Sequence, residues 1–464
     1  MWINRYQKKQ DFIKIVNNIK DQTLIVRGAR QVGKTSFILD VLCEIKAPQI
    51  HINCLKPGSF MMGSSLLGSD VMGKQNRLGR DFLGKTPLEF INNINLYFKS
   101  RGQIAQNFPA IIFIDEADQY SPVLEWIQTL AEYSATLKFI ITGSNLENVP
   151  VKNAATGRKC FFDLYPITFY DTLRAANRED LVNYCYEQSP KSFGPSEYFH
   201  NQLTEAFQIY RRLGGMPRLV DNYLDPKKEA QPLPHIASDL VITIEENVKA
   251  ILGEKAKLYE YHDILRTLAR MSLNTLKYTR LQVQNAGRSE AKRLVAKTVG
   301  ARVAHKIRLM DAESDLSKYV LFDSGIVNFL LNGSDLLGNV ISPEHLGILS
   351  ETVVACELTA SLITRDDLFY WKSGNVAELD FLICSPIMAG IDVKTKEGTN
   401  KSLASFALRE KQAACLVKIA DAPPCFEPNY VARLATSSDH REIPLLKIPH
   451  YLVPRLLEYL RELK

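Results

Sequence analysis

The sequence predicts an α/β protein: a mostly parallel sheet in the first half, a helical stretch after it, a basic middle segment, and a second α/β core at the end. Two observations carry this. Short apolar runs alternate with helix-like ones through the first half, the pattern of strand–helix–strand units. Three of those runs, built on Leu24–Val26, Ile111–Ile114 and Phe139–Ile141, are unbroken, as strands buried on both faces are.

In chain order, strands are expected at Thr23–Arg27, Gln49–Cys54, Ala110–Asp115, Leu137–Thr142 and Cys160–Leu164. Helices fit between them at Lys34–Ile45, Pro87–Phe98 and Val123–Ser134. The connection 57–85 holds six glycines, at 58, 63, 68, 73, 79 and 84. It reads either as a surface insertion or as a functional loop. Residues 171–224 read as helical, and Asp225–His235, with three prolines, reads as a linker. Beyond it, Ile264–Met271, Leu276–Asn285 and Ser289–Val299 are three short helix candidates. The last part has a helix at Glu344–Ile363, strands at Leu368–Trp371, Glu378–Ile383 and Gly390–Thr395, and a helix at Lys401–Leu416. The expected division is 1–170, 171–235, 236–331 and 332–464.

The chain has 464 residues, 46% of them hydrophobic and 23% charged. At about 100–200 residues per domain this is two to four domains, and the balance excludes disordered, collagen-like and disulfide-scaffold classes. No apolar run reaches the roughly 18–20 residues of a membrane span. Arg5, Lys8, Lys9 and Lys14 break the pattern of a signal peptide. The eight cysteines are scattered singly without a C-x-x-C pair, so reduced thiols in a cytoplasmic protein are expected, with no membrane partner.

Residues 28–35 read Gly28-Ala29-Arg30-Gln31-Val32-Gly33-Lys34-Thr35, with Ser36 next. This is G-x-x-x-x-G-K-[ST] between a strand and a helix. Glycines let backbone N–H groups turn toward phosphates, and the helix N-terminus favours their charge. Lys34 is expected at the β/γ-phosphates of ATP and Thr35 on Mg²⁺. Pro109–Glu116 is an apolar strand ending in two carboxylates: Asp115 to hold Mg²⁺, Glu116 to polarise the attacking water. Acids also simply end strands, but after a phosphate loop at this distance the pair is specific. The strand Gln49–Cys54 is expected to be the one that separates the two motifs. Thr142 and Ser144 stand where a polar group senses the γ-phosphate; ordinary turn chemistry is the alternative. Arg158 suits the nucleotide of a neighbouring subunit in a homo-oligomer, or is an exposed structural arginine. Pro217, in Gly214-Gly215-Met216-Pro217-Arg218, suits contact with adenine, or belongs to a structural Gly-Pro turn.

These residues carry a resemblance. RGARQVGKTS, IIFIDEAD, ITGSN, the Gly157-Arg158 pair, FDLYPITF, GGMPRLV, KYVLFDSGI, ILSETVVACEL, AELDFLI and IDVKT resemble AAA+-like ATP-binding proteins of bacteria and archaea. In those proteins a C-terminal domain without assigned function is similar to PD-(D/E)XK nucleases. The resemblance implies a P-loop NTPase of the AAA+-like (ASCE) kind with a helical lid, a winged-helix-like module and a nuclease-like α/β domain. Two features depart from it: the 57–85 insertion is long, and Asp392 stands where Glu is commoner.

The residues of the last part support a metal-dependent phosphodiesterase independently. Asp380 sits in the apolar strand Leu379–Ile383, and Asp392 and Lys394 alternate onto one face of the next. Carboxylates inside apolar strands are costly unless paired or metal-bound. Asp380 and Asp392, with Glu351 from the preceding helix, suit Mg²⁺, and Lys394 would position or deprotonate water. The alternatives are a structural Asp–Lys pair and a nuclease-like fold that does not cleave.

Net charge is +6 from 57 basic and 51 acidic residues. From Arg270 to Met310 ten basic residues face Glu290 alone, a local +9. Arg288, Lys292, Arg293 and Lys297 would share a helix suited to DNA phosphates, though a solvated charged face is the commoner meaning of such a run. Little aromatic interleaving disfavours single-strand stacking. The eight histidines show no ligand spacing and read as structural. The expected protein is an ATP-hydrolysing, DNA-binding one, with Lys34, Glu116, Asp380, Asp392 and Lys394 doing chemistry and 57–85 facing a threaded or wrapped substrate. The alternative is a nucleotide-dependent switch or assembly platform whose nuclease-like domain only binds.

Overall fold

A computed structural model describes residues 3–55, 77–100, 102, 110–133, 136–148, 157–227, 231–252, 258–272, 274–276, 288–310, 316–333, 335–338, 341–362, 367–374, 377–395, 398–434 and 438–464. The chain divides into two compact units. One is Arg5–Leu164 with Gly300–Arg302; the other holds Tyr165–Val299 and Val303–Lys464.

The first unit runs α1 (Tyr6–Asn18), β1 (Thr23–Arg27), α2 (Lys34–Glu44), β2 (Gln49–Asn53), β3 (Arg77–Gly79), α3 (Pro87–Lys99), β4 (Ala110–Asp115), α4 (Pro122–Glu125), α5 (Ile127–Glu132), β5 (Leu137–Thr142) and β6 (Lys159–Asp163). Its sheet has the order β3-β2-β4-β5-β1-β6, and every neighbouring pair is parallel. All six residues of β4 are buried, which is why that run carries no alternation. The core joins Ile112, Ile114, Phe139 and Ile141 to Phe90, Ile94 and Leu130. Thr86 caps α3 by accepting the Glu89 N–H, with Pro87 in the first turn, where its missing N–H costs nothing.

Three expectations change here. The strand lying between β1 and β4 is β5, not Gln49–Cys54, which forms β2 on the outer side of β4. The helix expected at Val123–Ser134 breaks at Trp126, whose N–H bonds the Val123 carbonyl three residues back and tightens the turn; its ring packs against Phe90 and Tyr120. Of the stretch 57–85, residues 57–76 lie outside the described residues, while the end of it joins the sheet as β3. Phe82 and Leu83 are buried in the core, so this end is not a surface insertion.

The second unit opens with helices: α6 (Phe169–Ala175), α7 (Glu179–Glu187), α8 (Glu197–Leu213), α9 (Pro217–Leu224), α10 (Leu233–Leu252), α11 (Leu258–Arg270) and α12 (Arg288–Gly300, whose last residue belongs to the first unit). Then come β7 (Ala304–Leu309), β8 (Ser317–Leu321), α13 (Ser324–Asn332), α14 (Pro343–Ser361), β9 (Leu368–Ser373), β10 (Ala377–Ile383), β11 (Ala389–Val393), α15 (Lys401–Arg409), β12 (Cys415–Ile419), β13 (Cys425–Arg433), β14 (His440–Ile448) and α16 (Leu456–Glu462).

These strands form one sheet of order β13-β14-β12-β11-β10-β9-β7-β8. One face packs Phe381, Ile391, Val417 and Leu446 against Val353, Val354 and Leu358 of α14. The other packs Leu379, Leu382, Leu416 and Leu445 against Leu403 and Phe406 of α15. The expected boundary at 331/332 therefore crosses a continuous sheet: the β7–β8 hairpin has an open edge, and β9 pairs with it in parallel. The boundary at 235/236 likewise falls inside this unit, and the break between units lies at Leu164. The helix expected to reach Leu416 ends at Arg409, because the Ala414 N–H bonds Met388 and draws the chain into β12. Most of Leu276–Asn285 lies outside the described residues. Among the described residues no helix is long and apolar enough to cross a membrane, and all eight cysteines are free thiols.

Candidate functional site

The phosphate loop connects β1 to α2. Gly33 takes a left-handed φ of 86° immediately before the helix, and Gly28 turns where a Cβ would meet the Leu164 carbonyl at 2.3 Å. Arg5 donates to the Val32 carbonyl and braces the loop from α1's start. Lys34, the first residue of α2, is buried; its ammonium donates to the carbonyls of Gly28 (3.0 Å) and Ala29 (2.9 Å) and to Ser144 Oγ (3.2 Å). Burial pulls Lys34 down to about 8, against Glu116, Asp118 and Asp115. Thr35 Oγ1 donates to both Asp115 oxygens at 3.0 Å. Ala29, Arg30, Gln31 (φ 63°) and Ser36 complete the loop and first turn.

Glu116 follows β4 at a left-handed φ of 55°. Burial raises its carboxyl above the ordinary range, only partly offset by Lys34. Thr142 ends β5 fully buried, and its hydroxyl has no hydrogen-bond partner. Arg158 precedes β6, and its guanidinium reaches the Asp21 carbonyl at 3.4 Å. The loop, Lys34, Thr35, Asp115 and Ser144 thus lie together. Two residues not singled out from sequence join them from β2: Asn53, whose amide donates to Asp115 at 3.4 Å, and His51, whose Nε2 lies 3.7 Å from the same carboxylate. Only the β2–β4 register brings them there, so no local signal marks them.

Residues 20–173 match the AAA domain family. The match covers about a third of the chain and holds the whole phosphate loop, Asp115 and Ser144. The parallel sheet with its helices fits the P-loop NTPase form of that domain, and the AAA domain implies nucleotide binding. The Thr35–Asp115 pair fits Mg²⁺, a hydroxyl and a carboxylate being the oxygen donors it takes. No curated protein matches this chain. Among solved structures, Drosophila ORC bound to DNA is 13% identical, covering 68% of this chain and 91% of that one at a TM-score of 0.25. The Pif1 helicase of Candida albicans is 9% identical, covering 44% and 48% at a TM-score of 0.23. At these scores neither bears on function.

Pro217 opens α9 in the second unit. The Gly214-Gly215 turn before it is committed to Asp323, which accepts the Gly215 N–H at 2.7 Å and caps α13 through the Ile326 N–H.

The second group of expected residues lies on β10, β11 and α14. Phe381 pairs with Ile391, so Asp380 and Asp392 are the next positions outward on adjacent strands. Asp380 accepts the Val393 N–H at 2.7 Å, and Lys394 reaches Asp392 Oδ1 at 2.8 Å. Burial and then the Asp380 charge push Glu351 to about 8; burial and then Asp392 push Asp380 to about 6. Burial raises Asp392 as well, despite Lys394. Such carboxyls share protons until a cation discharges them. Asp392 Oδ2 is buried without a hydrogen-bond partner, which fits a cation ligand. Among the described residues, however, no group of three or more His, Cys, Asp and Glu side chains is arranged to hold a metal ion. Glu351, Asp380 and Asp392 are electrostatically coupled but not a preformed ligand set. Lys318 of β8, unmarked in the sequence, pulls on Glu351 and Asp380 and pairs with Glu378 at 2.5 Å while almost fully buried.

Of the basic segment, Lys277 and Arg280 lie outside the described residues. On α12, Lys292 and Arg293 are exposed, with Arg293 bonded to Glu290 at 2.6 and 2.9 Å, while Ala291, Leu294 and Val295 are buried.

Proposed function

We propose that this chain hydrolyses ATP and couples the nucleotide to DNA. The observation that carries it is the convergence of Lys34, Thr35, Asp115 and Glu116 on one loop. Lys34, held by three oxygens at ordinary hydrogen-bond lengths, is free to exchange them for phosphate oxygens. Thr35 and Asp115 would hold Mg²⁺, which supplies charge neutralisation at the β- and γ-phosphates. Glu116, raised by burial, orients and accepts a proton from the attacking water. Thr142 and Ser144 read the γ-phosphate. Arg158 serves the nucleotide of an adjoining copy in a homo-oligomer.

DNA binding rests on the basic segment. The bridge between Thr275 and Lys318 and the antiparallel β7–β8 hairpin after α12 support a winged-helix-like module. Cleavage by Asp380, Asp392, Lys394 and Glu351 is supported by the orphaned Asp392 oxygen and the raised carboxyls. The second reading, a binding platform that does not cut, is favoured by Lys318 and Lys394, whose charges already oppose those of the cluster from within.

ATP turnover measured with and without duplex DNA across salt tests the proposal. Stimulation that falls as salt rises supports it, since each phosphate contact contributes about −0.9 to the log–log slope of affinity. Turnover indifferent to DNA at every salt removes the DNA claim. Plasmid incubated with Mg²⁺ or Mn²⁺ separates the readings: nicking lost in Asp392→Ala supports cleavage, and no nicking under either metal leaves the platform.

A further inference from the structure

We propose that His51 is a positioning residue of the nucleotide site, holding Asp115 in the orientation that takes a divalent cation; this rests on the ATP reading above. His51 lies in the middle of β2, 4% exposed, paired across the sheet with Phe113, while Asn53 pairs with Asp115. Its ring stacks on Phe113, centroids 4.7 Å apart and planes 11° from parallel, which fixes the imidazole plane. Its Nε2 is 3.7 Å from Asp115 Oδ2, and neither ring nitrogen has a hydrogen-bond partner. A buried ring N–H without a partner is unfavourable, and packing on Phe113 asks only for an apolar ring. A histidine there is explained by a working state in which the N–H finds an acceptor, and the nearest carboxylate is that of Asp115.

The geometry shows when that happens. Asp115 is now engaged by the Thr35 hydroxyl through both oxygens. Thr35 is the other residue suited to the cation: its single O–H can donate to one Asp115 oxygen while a lone pair faces the cation. The other oxygen, Oδ2, is then left to the donors that β2 brings within reach, the Asn53 amide at 3.4 Å and His51 Nε2 at 3.7 Å. Partners that orient a ligating carboxylate typically change metal affinity 10–100-fold when removed.

The test is ATP binding by the full chain in EDTA and across a Mg²⁺ titration, for the wild type, His51→Phe and His51→Gln, with thermal melting of each. Phe keeps the stacked ring and removes the N–H; the Gln amide nitrogen reaches close to the Nε2 position. In His51→Phe the gain in ATP affinity from EDTA to Mg²⁺ should shrink about tenfold, with His51→Gln recovering most of it. A Mg²⁺ dependence in His51→Phe equal to the wild type overturns the proposal. So does an equal loss in both variants that tracks a lowered melting temperature, the mark of packing alone. Absence of ATP binding by the wild type, with or without Mg²⁺, instead sinks the nucleotide reading and this one with it.

Discussion

The Lys34 ammonium donates to the Ser144 hydroxyl at 3.2 Å, tying the first residue of α2 to the chain just beyond β5. Two strands that are neighbours in the sheet but far apart in sequence thereby meet at one cation. Loss of Lys34 removes the charge that faces phosphate, so Lys34→Ala should lower ATP turnover at least about 100-fold. Ser144→Ala leaves Lys34 its two backbone acceptors and should cost about tenfold or less, mainly in kcat. Equal losses in the two variants would contradict this division.

Glu116 is held in a left-handed backbone conformation beside the loop, its carboxyl raised by burial. Glu116→Gln keeps the shape and removes the base. Turnover should fall about 10²–10⁴-fold while ATP binding persists, as read by direct binding and single-turnover kinetics. Wild-type turnover in the variant assigns the water-activating role elsewhere.

Lys318 is almost fully buried against Glu378 and its charge opposes those of Glu351 and Asp380. Glu378 is partly exposed and keeps Lys372 at 3.1 Å as a second partner, so the loss of Lys318 falls mainly on the charged hydrogen bond it makes. Lys318→Met should destabilise the second unit by about 2 kcal/mol, and Lys318→Met/Glu378→Met should recover part of it in a double-mutant cycle. Additive losses would mean that the pair contributes nothing of its own.

The Asp392 charge, after burial, raises the Asp380 carboxyl. Asp392→Asn relieves that repulsion, so in EDTA its melting temperature should not fall. Any Mn²⁺-dependent rise in melting seen for the wild type should vanish in the variant. A Mn²⁺ rise that survives the substitution places the cation elsewhere.

Glu357 accepts the Phe169 N–H at 2.9 Å and the Tyr210 hydroxyl at 2.7 Å, while its second oxygen is buried without a partner. Burial raises its carboxyl from 4.5 to about 7. Between those values the folded chain keeps a proton that the unfolded chain has released. The contribution is whole below pH 4.5 and is lost as pH rises through 7, with a ceiling of about 3 kcal/mol. Buried Asp323, raised to about 6, adds in the same direction at lower pH. Melting should therefore fall from pH 5 to pH 8 in the wild type and fall less steeply in Glu357→Gln, in which Glu351, raised to about 8, still contributes. Parallel curves would rule out this carboxyl as the source.

Much was legible from the chain alone because its signals are local. The phosphate loop is eight consecutive residues, and the apolar runs of β1, β4 and β5 announce strands buried on both faces. Asp115 ends its strand and Glu116 follows it, and Asp392 and Lys394 are two apart at the end of theirs, so period-2 geometry places them together. What the fold alone decided depends on register between distant segments. Asn53 and His51 reach Asp115 because β2 pairs with β4 in one particular alignment. β5, not β2, fills the gap between β1 and β4. Lys318 enters the carboxylate group because the open edge of the β7–β8 hairpin pairs with β9, erasing the boundary expected at 331/332. Local pattern encodes which backbone hydrogen bonds a segment can make; which partner satisfies them is a property of the whole packed sheet.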